Sequence, residues 1–276
     1  MARIANEAQF LLRASFAHMR VMWLETARFK SMWLYQFGWS FLFFVPLALT
    51  GMAYGDQGFK ASGGGSNFLA YAVTGYVALG VAMSALWGGQ QFMDRSNQTG
   101  TLAHVWVSEA PRWTALAGAS VVNLGFAAFR GLLVLVIAGL LFQGAPITLT
   151  AQSISALVIT LVVFFGMGVG FAGLGLVSRG GRLPDVLTSL AMIMAGATYP
   201  IAILPWSVRW IAYVNPYTYI VDLLRTTTIG TPSLFALEIE FLIVAAVALA
   251  SVTGGAYAYA KCERIAIKRG LVGLHA

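Results

Sequence analysis

The side chains that could perform acid–base, nucleophilic or metal chemistry are few and far apart in this chain. The histidines are His18, His104 and His275, and the single cysteine is Cys262. A hydrolase needs a base beside its nucleophile, and a metal site needs clustered histidine, cysteine or carboxylate ligands. The sequence shows neither pattern, and it contains no Gly-x-x-x-x-Gly-Lys-Ser/Thr phosphate loop. We therefore predict no enzymatic activity, no metal site and no cofactor bound by this chain.

A charged side chain and an amide side chain lie inside a long apolar run over residues 113–142. Arg130 is near the middle of this run, and Asn123 lies two helical turns earlier on the same face. A charge at the centre of a bilayer costs several kcal/mol and normally faces a protein interior or a water-filled cavity. Two interpretations remain open. Both residues line a pathway or an interface between two protein halves, or Arg130 forms a structural ion pair with a neighbouring helix.

The composition places these residues in an integral membrane protein. Hydrophobic residues make up 59% of the 276 residues and charged residues 10%, and the mean hydropathy is +0.77. A soluble domain is about half apolar and about a quarter charged. About 20 apolar residues in a helix span the hydrocarbon core. The sequence predicts six such spans, at 33–54, 68–92, 113–142, 153–177, 186–204 and 236–260.

The segment before the last span is apolar but broken by prolines. Pro200, Pro205 and Pro216 each remove a backbone donor and disfavour helix in the preceding residue. The pieces between them are too short to cross a bilayer, and broken backbone at membrane depth must be covered by protein or line a cavity. We predict a re-entrant hairpin of short helices. Glu238 and Glu240 lie at the start of the following span. We predict that they reach water or pair with Arg225, which lies in the broken segment.

The net charge of +7 is distributed as a topology signal. In a six-span arrangement, 13 of the 17 basic residues fall on one side of the membrane, and positively charged flanks stay cytoplasmic. We therefore predict a multi-pass protein of the cell (inner) membrane with both termini in the cytoplasm, the broken hairpin outside, and no nucleic-acid partner. The 13 residues are Arg3, Arg13, Arg20, Arg28, Lys30, Arg95, Arg112, Arg179, Arg182, Lys261, Arg264, Lys268 and Arg269.

Residues 4–30 have the pattern of an amphipathic helix that lies on the membrane. Apolar residues recur at helical spacing, while Arg13, Arg20 and Arg28 follow on another face. Such a helix buries its apolar side among lipid head groups; the alternative is a cytoplasmic helix packed on the bundle. The chain is thus predicted as one domain over 1–276, with an interfacial helix at 1–32, a six-helix bundle at 33–260 and a cytoplasmic tail at 261–276.

The fourth span contains a glycine-rich run over residues 166–175. Residues 168–173 match the dinucleotide fingerprint Gly-x-Gly-x-x-Gly. That fingerprint binds a cofactor only between a strand and a helix N-terminus, and here it lies within an apolar helix. Glycines four residues apart, as at Gly166 and Gly170, instead allow membrane helices to approach closely. We predict a role in helix packing.

The segment between the second and third spans is predicted to be a cytoplasmic docking element. A polar turn with Asp94 and Arg95 leads to Gly100, and Thr101 can cap a short amphipathic helix that ends at Pro111. Such a helix, parallel to the membrane on its cytoplasmic face, offers a surface to a soluble partner.

Together these segments resemble the permease subunits of type-2 ABC exporters. The acidic–arginine pair, the Gly-Thr-Leu sequence and the proline before the third span are similar to the family's coupling segment. The Leu-Pro-Trp and Asn-Pro sequences followed by an arginine are similar to its external re-entrant helices. The sequence departs from the family at residue 103, where alanine replaces an acidic residue. The likeness covers nearly the whole chain.

The resemblance implies a partner set and two groups of site residues. A second permease copy (a homodimer) or a close relative would complete the transporter within the membrane lipid, and two ABC ATPase subunits would bind ATP and Mg²⁺ below it. The ATPase-coupling residues would be Asp94, Arg95, Gly100, Thr101 and Leu102. The residues that shape the external gate would be Pro205, Trp206, Asn215, Pro216 and Arg225.

The predicted pathway, which is apolar and aromatic with few fixed charges, favours an amphipathic substrate. Export of a drug, an antibiotic or a lipid-like compound is the first expectation, and export of a lipid-linked polysaccharide is the alternative. A different class of function, an ATP-independent channel or secondary carrier, also remains open.

Overall fold

The computed structural model describes most of the chain. The described residues are 2–28, 67–98, 100, 113–141, 148–178 and 183–270, together with isolated positions at 31, 38, 42, 45–46, 49 and 59. The predicted first span at 33–54 therefore lies largely outside the described residues. So do Thr101, Leu102 and most of the predicted docking helix.

All regular structure in the described part of the chain is helical, which confirms the all-α class there. Long helices predominate in the described residues up to residue 178, and shorter helices follow before the final long one. In chain order the helices are α1 (Ala2–Arg28), α2 (Phe68–Gln98), α3 (Trp113–Leu141), α4 (Ala151–Ser178), α5 (Leu183–Met194), a 3-10 turn (Ile201–Ile203), α6 (Trp206–Val214), α7 (Pro216–Ile229) and α8 (Leu237–Lys268).

Four of the described helices, α2, α3, α4 and α8, are long and apolar enough to cross a membrane. They coincide with the predicted second, third, fourth and sixth spans. The predicted fifth span at 186–204 is wrong in its extent. Its helix, α5, has 12 residues and ends at Met194, a length of about 18 Å at 1.5 Å per residue. The backbone leaves the helix there because Gly196 is left-handed, with φ 67°, and Pro200 follows.

Helix α4 lies at the centre of the bundle. It packs most extensively against α8 and then against α2, while α2 also packs on α3, and α3 on α1. The main core combines α2, α4, α7 and α8, and its completely buried side chains include Leu86, Phe164, Ile220, Leu223 and Val244. Although α7 is too short to span a bilayer, most of its residues are therefore buried among the long helices.

The glycine-rich run of α4 contacts α8 at backbone distance. A Cβ atom added at Gly255 of α8 would overlap the carbonyl of Gly166, and one added at Gly170 would lie 3.2 Å from the Gly255 Cα atom. Glycine permits this separation because it has no side chain between the two backbones. The predicted packing role of this run is confirmed.

Helix α1 lies against the first half of α3 through one face. A Cβ atom at Gly118 would lie 3.0 Å from the Cβ atom of His18, and the rings of Trp23 and Phe126 stack with their centroids 4.9 Å apart. The helix is therefore packed on the bundle, as in the second of the two interpretations of residues 4–30. Its other face is exposed and carries both basic and apolar side chains, namely Arg13, Phe16, Arg20, Val21 and Leu24.

The final helix extends further than expected. We predicted a cytoplasmic tail from residue 261, but α8 remains helical to Lys268. No helix-breaking residue occurs between residue 261 and Gly270, which has φ 60° and ends the described structure. The predicted cytoplasmic tail at 261–276 therefore begins within this helix, and its position relative to the membrane stays a prediction.

Candidate functional site

Arg225, predicted to shape the external gate, is the most deeply buried basic side chain among those described. Only 2% of its surface is exposed. Its Nε atom donates to the carbonyl of Tyr71 at 3.2 Å, Nη1 donates to the carbonyl of Gly196 at 2.9 Å, and Nη2 donates to the carbonyl of Ala197. The guanidinium carbon lies 3.4 Å from the centre of the Tyr71 ring. The charge is thus surrounded by carbonyl dipoles and an aromatic face.

These contacts fix the non-helical turn between α5 and the 3-10 segment. Burial lowers the pKa of Arg225 to about 10, so its guanidinium remains charged at neutral pH. Helix α2 approaches the same turn at Gly75, where a Cβ atom would overlap the Ala197 carbonyl and the guanidinium. The absence of a side chain at Gly75 is therefore a condition for this arrangement.

Asn215 and Pro216 form the junction between α6 and α7. The Asn215 side chain accepts the backbone N–H of Tyr217 at 3.1 Å, and Pro216 occupies the first turn of α7. This is the usual combination of a helix N-cap with a proline that has no N–H to satisfy. The Asn215 amide also donates to the carbonyl of Ala191. Asn215 therefore joins the start of α7 to the last turn of α5.

Pro205 and Trp206 begin the exposed part of the broken segment. Pro205 precedes α6, and Trp206 and Trp210 on that helix are 80% and 61% exposed. Arg209 holds the preceding turn by donating from Nε to the carbonyl of Leu204 at 3.1 Å. The five predicted gate residues thus separate into two groups: Asn215, Pro216 and Arg225 organise the packed interior, while Pro205 and Trp206 present a surface.

Glu240 does not have either of the environments that we predicted for it. Its side chain is completely buried, and its Oε1 atom accepts the backbone N–H groups of Leu234 at 3.1 Å and Phe235 at 3.3 Å. It neither reaches water nor pairs with Arg225, because the loop between α7 and α8 folds over it. Glu238, which precedes Glu240 on the same helix, is exposed.

Arg130 and Asn123 both lie on the face of α3 that contacts α2. The Arg130 Nη2 atom donates to the hydroxyl of Ser84 at 2.7 Å. Asn123 packs against Gly88, where a Cβ atom would lie 2.8 Å from the Asn123 amide nitrogen. The guanidinium is half-buried, and a hydroxyl is among its partners. A role in contacting substrate stays a prediction.

The predicted coupling residues lie at the end of α2. Asp94 and Arg95, which we placed in a turn, belong to the helix, because α2 continues to Gln98 and residues 90–98 contain no glycine or proline. Gly100 is exposed and left-handed, with φ 71°. This is the conformation in which glycine commonly ends a helix. Thr101 and Leu102 lie outside the described residues.

Sequence reasoning missed the partners of the predicted residues. Tyr71 and Gly75 were read only as parts of a span, and Ser84 and Gly88 were not connected with α3. Asp222 also received no predicted role, although a carboxylate three residues before an arginine in an apolar segment is a visible signal of a buried polar site. In the described residues no group of three or more histidine, cysteine or carboxylate side chains could hold a metal.

A comparison with protein families identifies a match over most of the chain. The family described as ABC-2 type transporter matches residues 18–229, an interval that starts within α1 and ends at the last residue of α7. The interval contains all five predicted gate residues, all five predicted coupling residues, and Asn123 and Arg130. No curated protein matches the sequence.

Proposed function

The chain belongs to the ABC-2 type transporter family, and we propose that it is the permease of an ATP-driven exporter of amphipathic small molecules. Membership makes it a multi-pass membrane subunit that works with an ABC ATPase subunit. The observation that carries the choice of substrate is the half-buried guanidinium of Arg130 in a helix that has no other ionisable side chain. Such a group recognises a polar or anionic part of a molecule whose remainder is apolar.

The α2 face around Arg130 supports this choice. Ser84, Gly88 and Gln91 lie on one side of α2, since they are separated by four and three residues. Trp87 and Gln91 are exposed there. An aromatic surface beside hydroxyl, amide and guanidinium groups suits a compound that has an apolar body and a polar end. Drugs, antibiotics and lipid-like compounds have this character.

We propose that two permease copies, or this chain and a close relative, assemble with two ATPase subunits. The phosphate loop that binds ATP and Mg²⁺ is absent from this sequence, so these ligands belong to the partner. The distribution of basic residues supports an orientation with both termini and the coupling end of α2 in the cytoplasm. In this orientation α6 and α7 lie towards the outside, where the Arg225 site would hold the external gate.

Helix α2 connects the predicted coupling residues with the Arg225 site. It is continuous over 31 residues, about 46 Å at 1.5 Å per residue. One end carries Asp94, Arg95 and Gly100, and near the other end Tyr71 and Gly75 contact Arg225 and the turn at 196–197. A displacement imposed by the ATPase at one end would therefore reach the gate through a single rigid helix. Coupling of this kind requires two discrete arrangements of the packed elements.

The dependence on ATP is tested by transport into inside-out vesicles. With its cognate ATPase, the permease is expected to accumulate a fluorescent amphipathic probe only when ATP is hydrolysed. An ATPase variant without its phosphate-loop lysine is the control and should support none. Accumulation by the permease alone would favour a carrier and contradict the exporter proposal. Retention of a lipid-linked polysaccharide in cells lacking the gene, without any defect in probe export, would favour the alternative substrate.

Replacement of Arg130 tests the proposed substrate contact. Arg130→Ala is expected to lower export of an anionic amphipathic probe by roughly tenfold or more, because a hydrogen bond to a charged group contributes about 1.5–3 kcal/mol. Export of an uncharged probe and basal ATP hydrolysis should stay near the parent level.

Two further variants test the role of the Arg130 charge and that of the neighbouring Ser84 hydroxyl separately. Ser84→Ala removes the neighbouring hydroxyl but leaves the guanidinium, so it should reduce export much less. Arg130→Lys keeps the charge and loses the planar donor geometry, and it should be intermediate. If Arg130→Ala instead dissociates the assembled permease, the residue is structural; if it exports both probes like the parent, it contacts no substrate.

A further inference from the structure

Two carboxyl groups meet beneath the loop between α7 and α8. The backbone N–H of Leu234 points between them and donates to Asp222 Oδ2 at 2.8 Å and to Glu240 Oε1 at 3.1 Å. Because both oxygens contact one nitrogen, they lie within about 6 Å of each other, a range in which like charges strongly disfavour each other's ionisation.

The arrangement lacks a hydrogen-bond donor to the second oxygen of Glu240. Oε2 is buried and has no hydrogen-bond donor, although Oε1 accepts from both Leu234 and Phe235. A buried carboxylate oxygen without a donor is costly, and two ionised carboxylates cannot hydrogen-bond because both are only acceptors. One proton between them removes both problems, since a carboxylic acid donates its O–H.

We propose that Asp222 and Glu240 form a proton-binding site, in which Glu240 carries the proton on Oε2 and donates it to the Asp222 carboxylate. The bound proton holds residues 230–236 against α7 and α8, because the carboxyl groups of Asp222 on α7 and Glu240 on α8 both accept the Leu234 N–H. Loss of the proton would place two negative charges across the α7–α8 contact and release this loop. The inference does not depend on the substrate or on the direction of transport.

The charged and titratable groups around the pair favour this assignment of the proton. Arg225, one turn along α7, interacts electrostatically with Asp222, so the negative charge is better placed on Asp222 than on Glu240. Tyr71 of α2 interacts with Asp222, and Tyr219 of α7 interacts with Glu240. Helix α4, which packs against α8, has no titratable side chain. Arg225 donates to backbone carbonyls and to neither carboxyl group.

Infrared spectroscopy of the reconstituted full-length permease with its ATPase tests the site directly. At neutral pH the parent should show the C=O stretching band of a protonated carboxyl group, shifted in D₂O. Glu240→Gln should remove this band, and Asp222→Asn should also remove it, because Glu240 then ionises beside a neutral amide donor. Glu238→Gln, an exposed carboxyl close by on α8, is the matched control and should leave the band unchanged.

Each other outcome contradicts the proposal. Absence of the band from the parent means that both carboxyl groups are ionised, and if added Na⁺ then stabilises the protein, the site holds a metal cation instead. Persistence of the band in Glu240→Gln assigns the proton elsewhere. Persistence in Asp222→Asn means that Glu240 is protonated by burial alone and that no shared site exists.

The pH dependence of stability is a second measurement, which does not require the variants to fold. The native state binds one proton that an unfolded chain releases above a pH of about 4.3, the ordinary value for glutamate. Stability must then fall as pH rises. The unfolding equilibrium constant in mixed detergent should increase about tenfold per pH unit until the proton is lost. A stability that is flat or rises over this range would overturn the proposal.

Discussion

Replacing Arg225 with methionine is expected to lose most of the folded permease. Methionine has a similar length but no donors, so the carbonyls of Gly196 and Ala197 would lose the partners that they have in the buried site. An unsatisfied buried polar group costs about 1–3 kcal/mol, which predicts a total of roughly 3–5 kcal/mol once the lost contact with Tyr71 is included. A protein is typically stable by only about 5–15 kcal/mol. Thermal unfolding in detergent and gel filtration of the tagged protein would measure the loss.

Arg209→Met is a suitable control for this experiment. Arg209 also donates to backbone carbonyls, those of Ala202 and Leu204, but it lies at the surface of α6 and is only partly buried. Its replacement should change the unfolding temperature little, because water can satisfy the exposed carbonyls. Arg225→Lys should fall between the two, since it keeps the charge but not the three-donor geometry. Normal melting of Arg225→Met would show that the turn at 195–199 is held by other contacts.

The second large effect is expected at the contact between α4 and α8. Gly255→Leu would place a side chain where the Gly166 carbonyl lies, so the two helices must separate along their closest contact. Overpacking a close contact commonly costs about 1–3 kcal/mol and occasionally more, and here the obstructing atoms belong to backbone that cannot change rotamer. We expect the variant to yield little monodisperse protein, and Gly255→Ala to show a smaller loss.

The neighbouring residue provides a matched control. Gly254 is exposed, and a Cβ atom there would meet nothing within 4 Å. Gly254→Leu has the same change in composition and helix propensity, yet it should unfold at the parent temperature or slightly above it. Equal behaviour of the two leucine variants would mean that the α4–α8 contact tolerates separation and that the glycines serve another purpose.

Local features of the fold were predictable because they depend on nearby residues. Pro200, Pro205 and Pro216 each mark a boundary of a short helical piece, and the long apolar runs became α2, α3, α4 and α8. The predicted fifth span at 186–204 was too long because hydropathy counts apolar residues without regard to backbone conformation. Gly196 and Pro200 interrupt the helix while leaving the average hydropathy high. Asp94 and Arg95 were misplaced because a polar helix end has the same composition as a turn.

The site was less predictable because its contacts join distant parts of the chain. Arg225 was identified from its motif, but its partners lie 154, 29 and 28 residues away. Glu240 looked like a residue that reaches water, since it stands near the start of a span. The loop that buries it could not be predicted, because its position depends on two carboxyl groups from different helices.

The exposed tryptophans of α6 make the protein sensitive to the thickness of the bilayer. Trp206 and Trp210 are the most exposed tryptophans in the described part of the chain, and tryptophan prefers the level of the lipid head groups. They would fix α6 relative to the bilayer surface, while α7 is fixed to the bundle through Arg225. The distance between these two attachments then depends on hydrocarbon thickness, and thickness mismatch costs fractions of a kcal/mol per Å. The transport rate should therefore vary with lipid acyl-chain length even when head-group charge is held constant.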